Sequence, residues 1–148
     1  MRHKSFSEAR CPIARSLDLV GEWWSILILR DAFRGIRRFD DFQASLDIAR
    51  NMLSRRLKRL VEAGLLEIRP YSEHPPRHEY RLTDKGRDFF PVLMTLMTWG
   101  NRWVRRERSA VALSRRTQAP LDLLLIDRAT GEPVTPQTVR TAVVETPA

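Results

Sequence analysis

The stretch Ile48-Ala49-Arg50-Asn51-Met52-Leu53-Ser54-Arg55-Arg56-Leu57-Lys58-Arg59-Leu60-Val61-Glu62-Ala63-Gly64 is both basic and amphipathic. Its apolar residues at 53, 57, 60 and 61 recur at helical spacing and predict one buried face. Four polar or cationic residues fall on the opposite face: Asn51, Ser54, Arg55 and Lys58. We therefore expect a short helix, closed by the glycine at 64, with an apolar inner side and a basic outer side.

Three helices are predicted before this stretch. Cys11-Pro12 opens the first, because proline is favoured at the first helical position, and Gly21 ends it. The second runs from Glu22 to about Phe33 and is apolar almost all round, which predicts a central position. A short third helix begins at Asp40 or Asp41, and residues 47–49 form the turn into the basic helix.

Two strands are predicted after it. Residues 65–71 have strand composition, residues 78–82 alternate, and the proline-containing segment 72–77 forms a stiff tip between them. Thr83 then caps a long helix that extends to about Arg106. This helix carries more apolar surface than its own packing needs, which marks a subunit interface. Its interface residues are expected to be Phe90, Leu93, Met97, Gly100 and Trp103.

The predicted fold is mainly α with a small antiparallel β wing: a winged helix-turn-helix followed by a long C-terminal dimerisation helix. We assign this domain to residues 1–107. Residues 108–148 are interpreted as a basic linker and an extension of unassigned role. Within the extension, 121–126 and 138–144 are candidate strands of an additional β-hairpin.

The positive charge is concentrated in the first part of the chain. Residues 1–119 contain 24 Lys and Arg against 14 Asp and Glu, a net +10, whereas residues 120–148 contain 2 against 4, a net −2. A polyanionic partner requires such a basic surface, although a charged surface alone could serve solubility. Small polar and cationic side chains on a short helix suit the major groove of DNA.

Several other classes of protein are disfavoured. We see no signal peptide and no apolar stretch long enough for a membrane span, and the single cysteine excludes an intramolecular disulfide, so we expect a cytoplasmic protein. The three histidines and one cysteine lack metal-ligand spacing, and no cofactor is expected. No nucleophile-base pair or phosphate-binding glycine loop is visible, which argues against an enzyme.

The chain resembles the HxlR family of bacterial winged helix-turn-helix transcriptional regulators, whose architecture is similar to that of MarR-type regulators. The resemblance covers about residues 8–107. It rests on ordered motifs: Cys11-Pro12-Ile13, Leu17 to Gly21, Trp24 to Asp31, Arg38 to Phe42, Ile48 to Leu57, Glu62 to Leu66, Pro75 to Thr83 and Pro91 to Gly100. It implies a homodimer joined largely through terminal helices. Ala49 departs from the pattern, since a serine cap is common there, and residues 108–148 lie outside it.

The candidate DNA-binding residues fall into three groups. Base or groove contacts are expected from the four outer-face residues of the basic helix, Asn51, Ser54, Arg55 and Lys58. Phosphate contacts are expected from Arg37, Arg38, Arg50 and Arg59. Arg77 at the wing tip is expected to reach the minor groove or the backbone. Arg56 lies near the inner face, where it could hold either a structural ion pair or a phosphate.

Two interpretations of Cys11 stay open, a reactive thiol and an ordinary residue at a helix start. A thiol at a helix start feels the positive end of the helix dipole, which favours reactivity, and Arg10 and Arg15 are near in sequence. Some members of the family sense oxidants or electrophiles through a cysteine near this place. The alternative is an ordinary residue at a helix start. The tryptophans at 23, 24, 99 and 103 are interpreted as core and interface residues rather than a ligand cage.

These observations predict a homodimeric regulator that binds double-stranded DNA, with repression favoured over activation. Two-fold symmetry predicts a near-palindromic operator with half-sites about one helical turn apart. An oxidant or a small molecule is a candidate effector. The alternative is a winged-helix module that binds protein without specific recognition of DNA.

Overall fold

The computed structural model describes residues 5–104 and 110–142. The chain divides into two compact units, Met1–Met94 and Thr95–Ala148. The elements occur in the order α1 (Pro12–Val20), α2 (Trp23–Phe33), α3 (Phe39–Leu46), α4 (Arg50–Glu62), β1 (Leu66–Glu73), β2 (Pro76–Leu82), α5 (Asp84–Arg87) and α6 (Phe90–Trp103). The division between the units falls within α6. Residues 108 and 109, the first of the sequence-defined linker, lie outside the described residues.

The core of the first unit is built around α2 and α4. Ile28 and Leu29 of α2 are fully buried, as is Phe42 of α3. From α4, Leu53, Leu57 and Leu60 are fully buried as well. The apolar residues of α4 that lie at helical spacing therefore form the inner face that the sequence predicts, and α2 takes its predicted central position.

The two strands form an antiparallel wing. Leu66 pairs with Leu82 at its base, and Glu73 pairs with Pro76 at its tip. The register shifts between Pro70 and Ser72. The wing is confirmed, and each strand continues two residues further towards the tip than its composition indicates.

The helical segment after the wing has two parts rather than one continuous helix. Thr83 caps α5 as predicted, since its hydroxyl accepts a hydrogen bond from the Gly86 backbone N–H at 3.0 Å. The helix is interrupted at residues 88–89, where Phe89 packs against the core. A Cβ on Gly86 would lie 2.1 Å from the Leu65 carbonyl oxygen, so α5 approaches the residue before β1 more closely than any larger residue allows.

The extension, residues 110–142, contains two similar turns. Residues 114–119 and 127–132 have the same backbone hydrogen bonds, thirteen positions apart. Gln118 and Gly131 occupy equivalent places and both have positive φ, 56° and 75°. Isolated antiparallel bridges flank the turns, Leu113 with Pro120 and Ile126 with Pro133. The repetition extends to side chains, since Thr117 and Thr130 occupy equivalent places and each hydroxyl accepts a hydrogen bond from the backbone N–H two residues later.

The predicted hairpin between 121–126 and 138–144 is not formed by the described residues. Ile126 pairs with Pro133 instead, and residues 136–138 form a turn. Residues 143 and 144 of the second candidate strand lie outside the described part. The apolar composition of 121–126 suggested a strand, but local turn bonding determines the structure here. No side chain among residues 110–142 is buried.

Candidate nucleic-acid interface

A tight turn joins α3 to α4. Asp47 has φ 48° and ψ 43°, a left-handed conformation that aspartate tolerates better than most residues. Ile48 directly after it is buried and anchors the turn to the core. Three residues, 47–49, thus connect the two helices, and α4 begins at Arg50. Together α3, the turn and α4 form a helix-turn-helix.

The outer face of α4 carries the residues predicted to contact DNA. Asn51, Ser54, Arg55 and Lys58 are all exposed and lie opposite the buried leucines of α4. The structure therefore brings the predicted set together on one side of one helix. Their contact with DNA remains a prediction.

Few of the hydrogen-bonding groups on this face are used in bonds within the described residues. Among the described residues, neither Ser54 nor the Arg55 guanidinium has a hydrogen-bond or ion-pair partner. Asn51 uses its side-chain oxygen to accept from the Met52 backbone N–H at 2.7 Å, a bond confined to the first turn of α4. Lys58 lies 3.8 Å from Glu62, a spacing at which an exposed pair is weak. Because few of its groups are bonded internally, this face can exchange bound water for the donors and acceptors of base edges at a low cost in free energy.

Arg50 is positioned by α3. Its guanidinium lies 3.2 Å from an Asp40 carboxylate oxygen, 3.3 Å from the Gln43 side-chain oxygen and 4.7 Å from the centre of the Phe39 ring. Both members of the Arg50–Asp40 pair are exposed. A phosphate could therefore replace the carboxylate, and the stacking on Phe39 would keep the guanidinium in place.

Two arginines of α4 have internal roles instead. Arg56 is buried and forms a 2.9 Å ion pair with Glu22, which resolves the two alternatives for Arg56 in favour of the structural pair. Arg59 is half-buried and donates to the Asp18 carbonyl oxygen at 2.5 Å. The sequence interpretation of Arg59 as a phosphate contact is not supported by this geometry. Helical spacing alone places Arg59 at the edge between the faces and could not reveal its partner in α1.

The wing carries Arg77 close to its tip. Arg77 pairs with Ser72 across the sheet, is exposed, and has no side-chain partner among the described residues. The tip itself contains the cis peptide bond His74–Pro75. The wing thus presents one uncommitted cation near its end, as expected from the sequence.

The loop before α3 is joined to the wing. The Arg37 carbonyl oxygen accepts a hydrogen bond from the Tyr80 backbone N–H at 2.7 Å. The Arg38 guanidinium lies 4.8 Å from the centre of the Tyr71 ring on β1. Both side chains are exposed, as a phosphate-binding role requires, but Arg38 also holds the loop against the wing.

Charge on the wing is balanced close to its base. Arg69 donates to Glu67 at 2.9 Å, and Arg81 donates to Glu79 at 2.6 Å. The hydrogen bond and the charge of Glu67 raise the pKa of Arg69. Burial raises the pKa of Tyr80, which packs against Phe42. These groups stabilise the wing rather than extend the candidate interface.

Cys11 is exposed immediately before the first residue of α1. Arg15 lies one turn later, but its guanidinium donates to the carbonyl oxygens of Ala9 and Arg10, at 2.8 Å and 3.0 Å. The thiol is accessible to a reagent, as a redox-sensing role requires. Its reactivity remains a prediction.

The predicted dimer-interface residues of α6 differ in their exposure to solvent. Leu93 is buried within its own chain, whereas Phe90 and Trp103 are exposed and Met97 and Gly100 are half-buried. An exposed stripe that shares only Trp103 with this set, hereafter the α6 stripe, follows helical spacing along α6. It consists of Val92, Leu96, Trp99 and Trp103, which are 49%, 47%, 57% and 67% exposed.

The tryptophans fall into two environments. Trp24 is half-buried and packs against the core, whereas Trp23, Trp99 and Trp103 are exposed. The expectation of a core role therefore holds for Trp24. The exposed three are available to an interface.

The family follows from the sequence match combined with this geometry. The HxlR-like helix-turn-helix family matches residues 19–108, which include the helix-turn-helix and the wing. The chain belongs to the HxlR-like helix-turn-helix family. It is therefore a member of a family of helix-turn-helix transcriptional regulators that bind DNA.

Individual relatives of this HxlR-like chain agree. An HTH-type transcriptional regulator of Mycobacterium tuberculosis is 46% identical over 129 residues, which cover 86% of this chain and 82% of the relative. The crystal structure of PA1607, a candidate transcription factor, has a TM-score of 0.85 and 39% identity, covering 94% of this chain and 99% of that one. Coverage of 94% includes most of the extension, so PA1607 shares it. The redox regulator HypR, in its oxidised form, has a TM-score of 0.59 and 29% identity over 66% of this chain and all of its own.

No group of three or more potential metal-ligating side chains occurs in residues 5–104 and 110–142. Within the same residues, no helix is both long and apolar enough to cross a bilayer.

Proposed function

We propose that this HxlR-like protein is a homodimeric repressor that binds a near-palindromic operator through the outer face of α4. The observation that carries the proposal is the uncommitted polar face, Asn51, Ser54, Arg55 and Lys58, on a helix held by buried leucines. Each subunit inserts α4 into a major groove, and Arg77 of the wing lies against the adjacent minor groove or backbone.

The phosphate contacts come from the loop and helix ends. Arg50, Arg37 and Arg38 are exposed near the start of α3 or α4. Their contribution is independent of base sequence and decreases with salt, because it releases counterions from the duplex. Arg59 is left out of this set because its guanidinium is bonded to α1.

The dimer is supported by the α6 stripe. Four large apolar side chains at spacings of four, three and four residues form a seam along one helix. Exposed apolar residues in such a row are costly in water, and a second copy of α6 would cover them. A dimer also explains how short recognition helices acquire affinity, since two half-sites are bound together.

The test is selection of bound duplexes from a randomised DNA pool with the purified full chain at near-physiological salt. Enrichment of an inverted repeat with half-sites about one helical turn apart supports the proposal. Recovery of unselected sequence contradicts it and favours the protein-binding module. Placing the enriched site over a reporter promoter then distinguishes repression from activation.

Sensing of oxidants through Cys11 is a second candidate function. It is supported by the exposure of the thiol and by the likeness to HypR, a redox regulator. With one cysteine per chain, any disulfide joins two subunits or captures a small thiol. Operator binding is measured before and after treatment with diamide, with Cys11→Ser as control. An oxidation effect that persists in Cys11→Ser contradicts this role.

A further inference from the structure

A cleft of about 490 Å³ opens in the first unit, away from the outer face of α4. It lies where the end of α2, the loop before α3, the base of the wing and α5 meet. Its walls include Phe33, Arg37, Tyr80, Arg81, Leu82 and Arg87. The volume is within the range of about 300–1,000 Å³ that small-molecule sites occupy.

The charged side chains of the cleft are mainly cationic. Three arginines line it, and the one lining carboxylate, Glu67, is held by Arg69 at 2.9 Å. Arg37 is the decisive residue because its guanidinium has no hydrogen-bond or ion-pair partner among the described residues. An exposed, unpaired guanidinium in a concave site offers two parallel donors to an anion.

The other two guanidiniums are already oriented. Arg87 donates to the Leu82 carbonyl oxygen at 2.6 Å and to Asp84 at 2.7 Å, which fixes it against the end of β2. Arg81 is held by Glu79 at 2.6 Å. These bonds partly neutralise the charge, but they reduce the entropy lost when a ligand binds.

One side of the cleft is apolar. Phe33 lies at the end of α2 and packs on Phe90 with 5.2 Å between the ring centres. Leu82 lines the cleft from β2. A hydrated inorganic ion would leave this wall unused, whereas an organic anion would cover it.

We propose that the cleft binds a small organic anion, a carboxylate attached to an apolar body. The carboxylate pairs with Arg37 and with one of the two oriented arginines, and the apolar body lies against Phe33 and Leu82. Binding itself is independent of the function proposed above. The regulatory consequence of binding rests on that function. The Arg37 carbonyl oxygen is bonded to Tyr80 of the wing, so an anion that moves Arg37 also changes the position of the wing.

Binding is measured by titration calorimetry of the full chain with benzoate, in the absence of DNA. Benzamide tests whether charge is required, because it has the same shape and is neutral, and inorganic phosphate tests whether any anion suffices. We expect a benzoate dissociation constant of about 1 mM or tighter. Benzamide and phosphate should each bind at least about tenfold more weakly. No benzoate binding, or equal binding of phosphate, overturns the proposal.

Variants locate the site. Arg37→Gln and Arg87→Gln should each weaken benzoate binding about five- to tenfold, because each removes a charged donor. Arg37 makes no internal side-chain bond among the described residues, so Arg37→Gln should fold normally. Arg128→Gln removes the same charge from the exposed extension and should leave binding unchanged. Equal losses in all three variants would mean nonspecific attraction and would overturn the assignment.

The regulatory step is tested separately on the selected operator. Benzoate should change operator affinity of the unmodified chain by at least about threefold and that of Arg87→Gln by less. Arg87→Gln is used here because Arg87 is not among the proposed DNA contacts. An unchanged affinity despite calorimetric binding would overturn the regulatory step alone. Failure to select any operator would contradict the proposed function and leave the calorimetric result standing.

Discussion

The Arg59 guanidinium of α4 donates to the Asp18 carbonyl oxygen of α1 at 2.5 Å. This bond joins residues 41 positions apart and engages an arginine of a basic helix within its own chain. Beside it, Arg56 forms its ion pair with Glu22, just after α1 ends. Helix α4 is thus joined to α1 and to the residue that precedes α2.

Arg59→Ala should lower stability rather than sequence discrimination. It removes a charge-assisted bond to a backbone carbonyl, and we expect the free energy of unfolding to fall by about 1 kcal/mol. The measurement is urea unfolding followed by circular dichroism, with binding to operator and random DNA under native conditions. If Arg59→Ala left stability unchanged and weakened DNA binding, the result would contradict this prediction and support Arg59 as a phosphate contact.

Arg55→Ala should have the opposite profile. Its side chain has no internal partner among the described residues, so stability should be unchanged within about 0.5 kcal/mol. Operator binding should weaken by about 1–3 kcal/mol if Arg55 makes a bidentate base contact. Fluorescence anisotropy with operator and random duplexes measures both affinities. Equal losses on the two duplexes would show that Arg55 contacts only the backbone.

The buried Arg56 makes the chain sensitive to its partner. Glu22→Gln should destabilise the chain by about 1–3 kcal/mol, because the Arg56 charge is then left without its carboxylate. Arg56→Met should cost less than Glu22→Gln, since it removes the charge and retains much of the apolar bulk. Thermal and urea unfolding of the two variants provide the comparison. A larger cost for Arg56→Met would indicate that the ion pair itself is strongly favourable.

The α6 stripe and the buried Leu93 can be separated by mutation. Leu96→Glu places a charge in the stripe and should convert a dimer to a monomer in sedimentation velocity while the monomer remains folded. Leu93→Ala should lower stability by about 2–4 kcal/mol, because Leu93 packs within its own chain. A dimer that withstands Leu96→Glu would show that the stripe is not the interface.

Two glycines in the helical segments should respond in opposite ways to alanine. Gly86→Ala forces a Cβ to within 2.1 Å of the Leu65 carbonyl oxygen, so the free energy of unfolding should fall by about 2 kcal/mol or more. Gly100→Ala meets no atom within 4 Å in the chain and should raise helix stability by up to about 1 kcal/mol. Urea unfolding compares the variants. Similar stabilities for both would mean that α5 can shift away from β1.

The basic helix, its preceding turn and the wing could be predicted because their signals are local. Leucine spacing, one glycine and two prolines determine which side faces the core and where the chain turns. The roles of Arg56 and Arg59 could not be predicted, since both partners lie near α1 and a helical period contains no information about them.

Thr130-Gly131-Glu132 indicates a turn from the sequence alone. The break at residues 88–89, the turn at 114–119 and the bonding partners of both turns were missed for a different reason. Their sequences are compatible with a continuous helix and with a strand. The outcome depends on how Phe89 packs and on backbone bonds at Gln118 and Gly131, where positive φ is required. Only the glycine of that pair is a recognisable signal, and it suggests a turn without indicating its partner residues.

The hydrogen bond from Tyr80 to the Arg37 carbonyl oxygen has a consequence for the proposed recognition of DNA. Because this bond fixes the wing to the loop that enters the helix-turn-helix, the parts proposed to contact the grooves keep one arrangement in the absence of DNA. Less conformational freedom is then lost on binding. In the proposed complex, a duplex whose minor groove is displaced relative to its major groove would meet a rigid template, so we expect discrimination between operators by shape at base pairs outside the contacts.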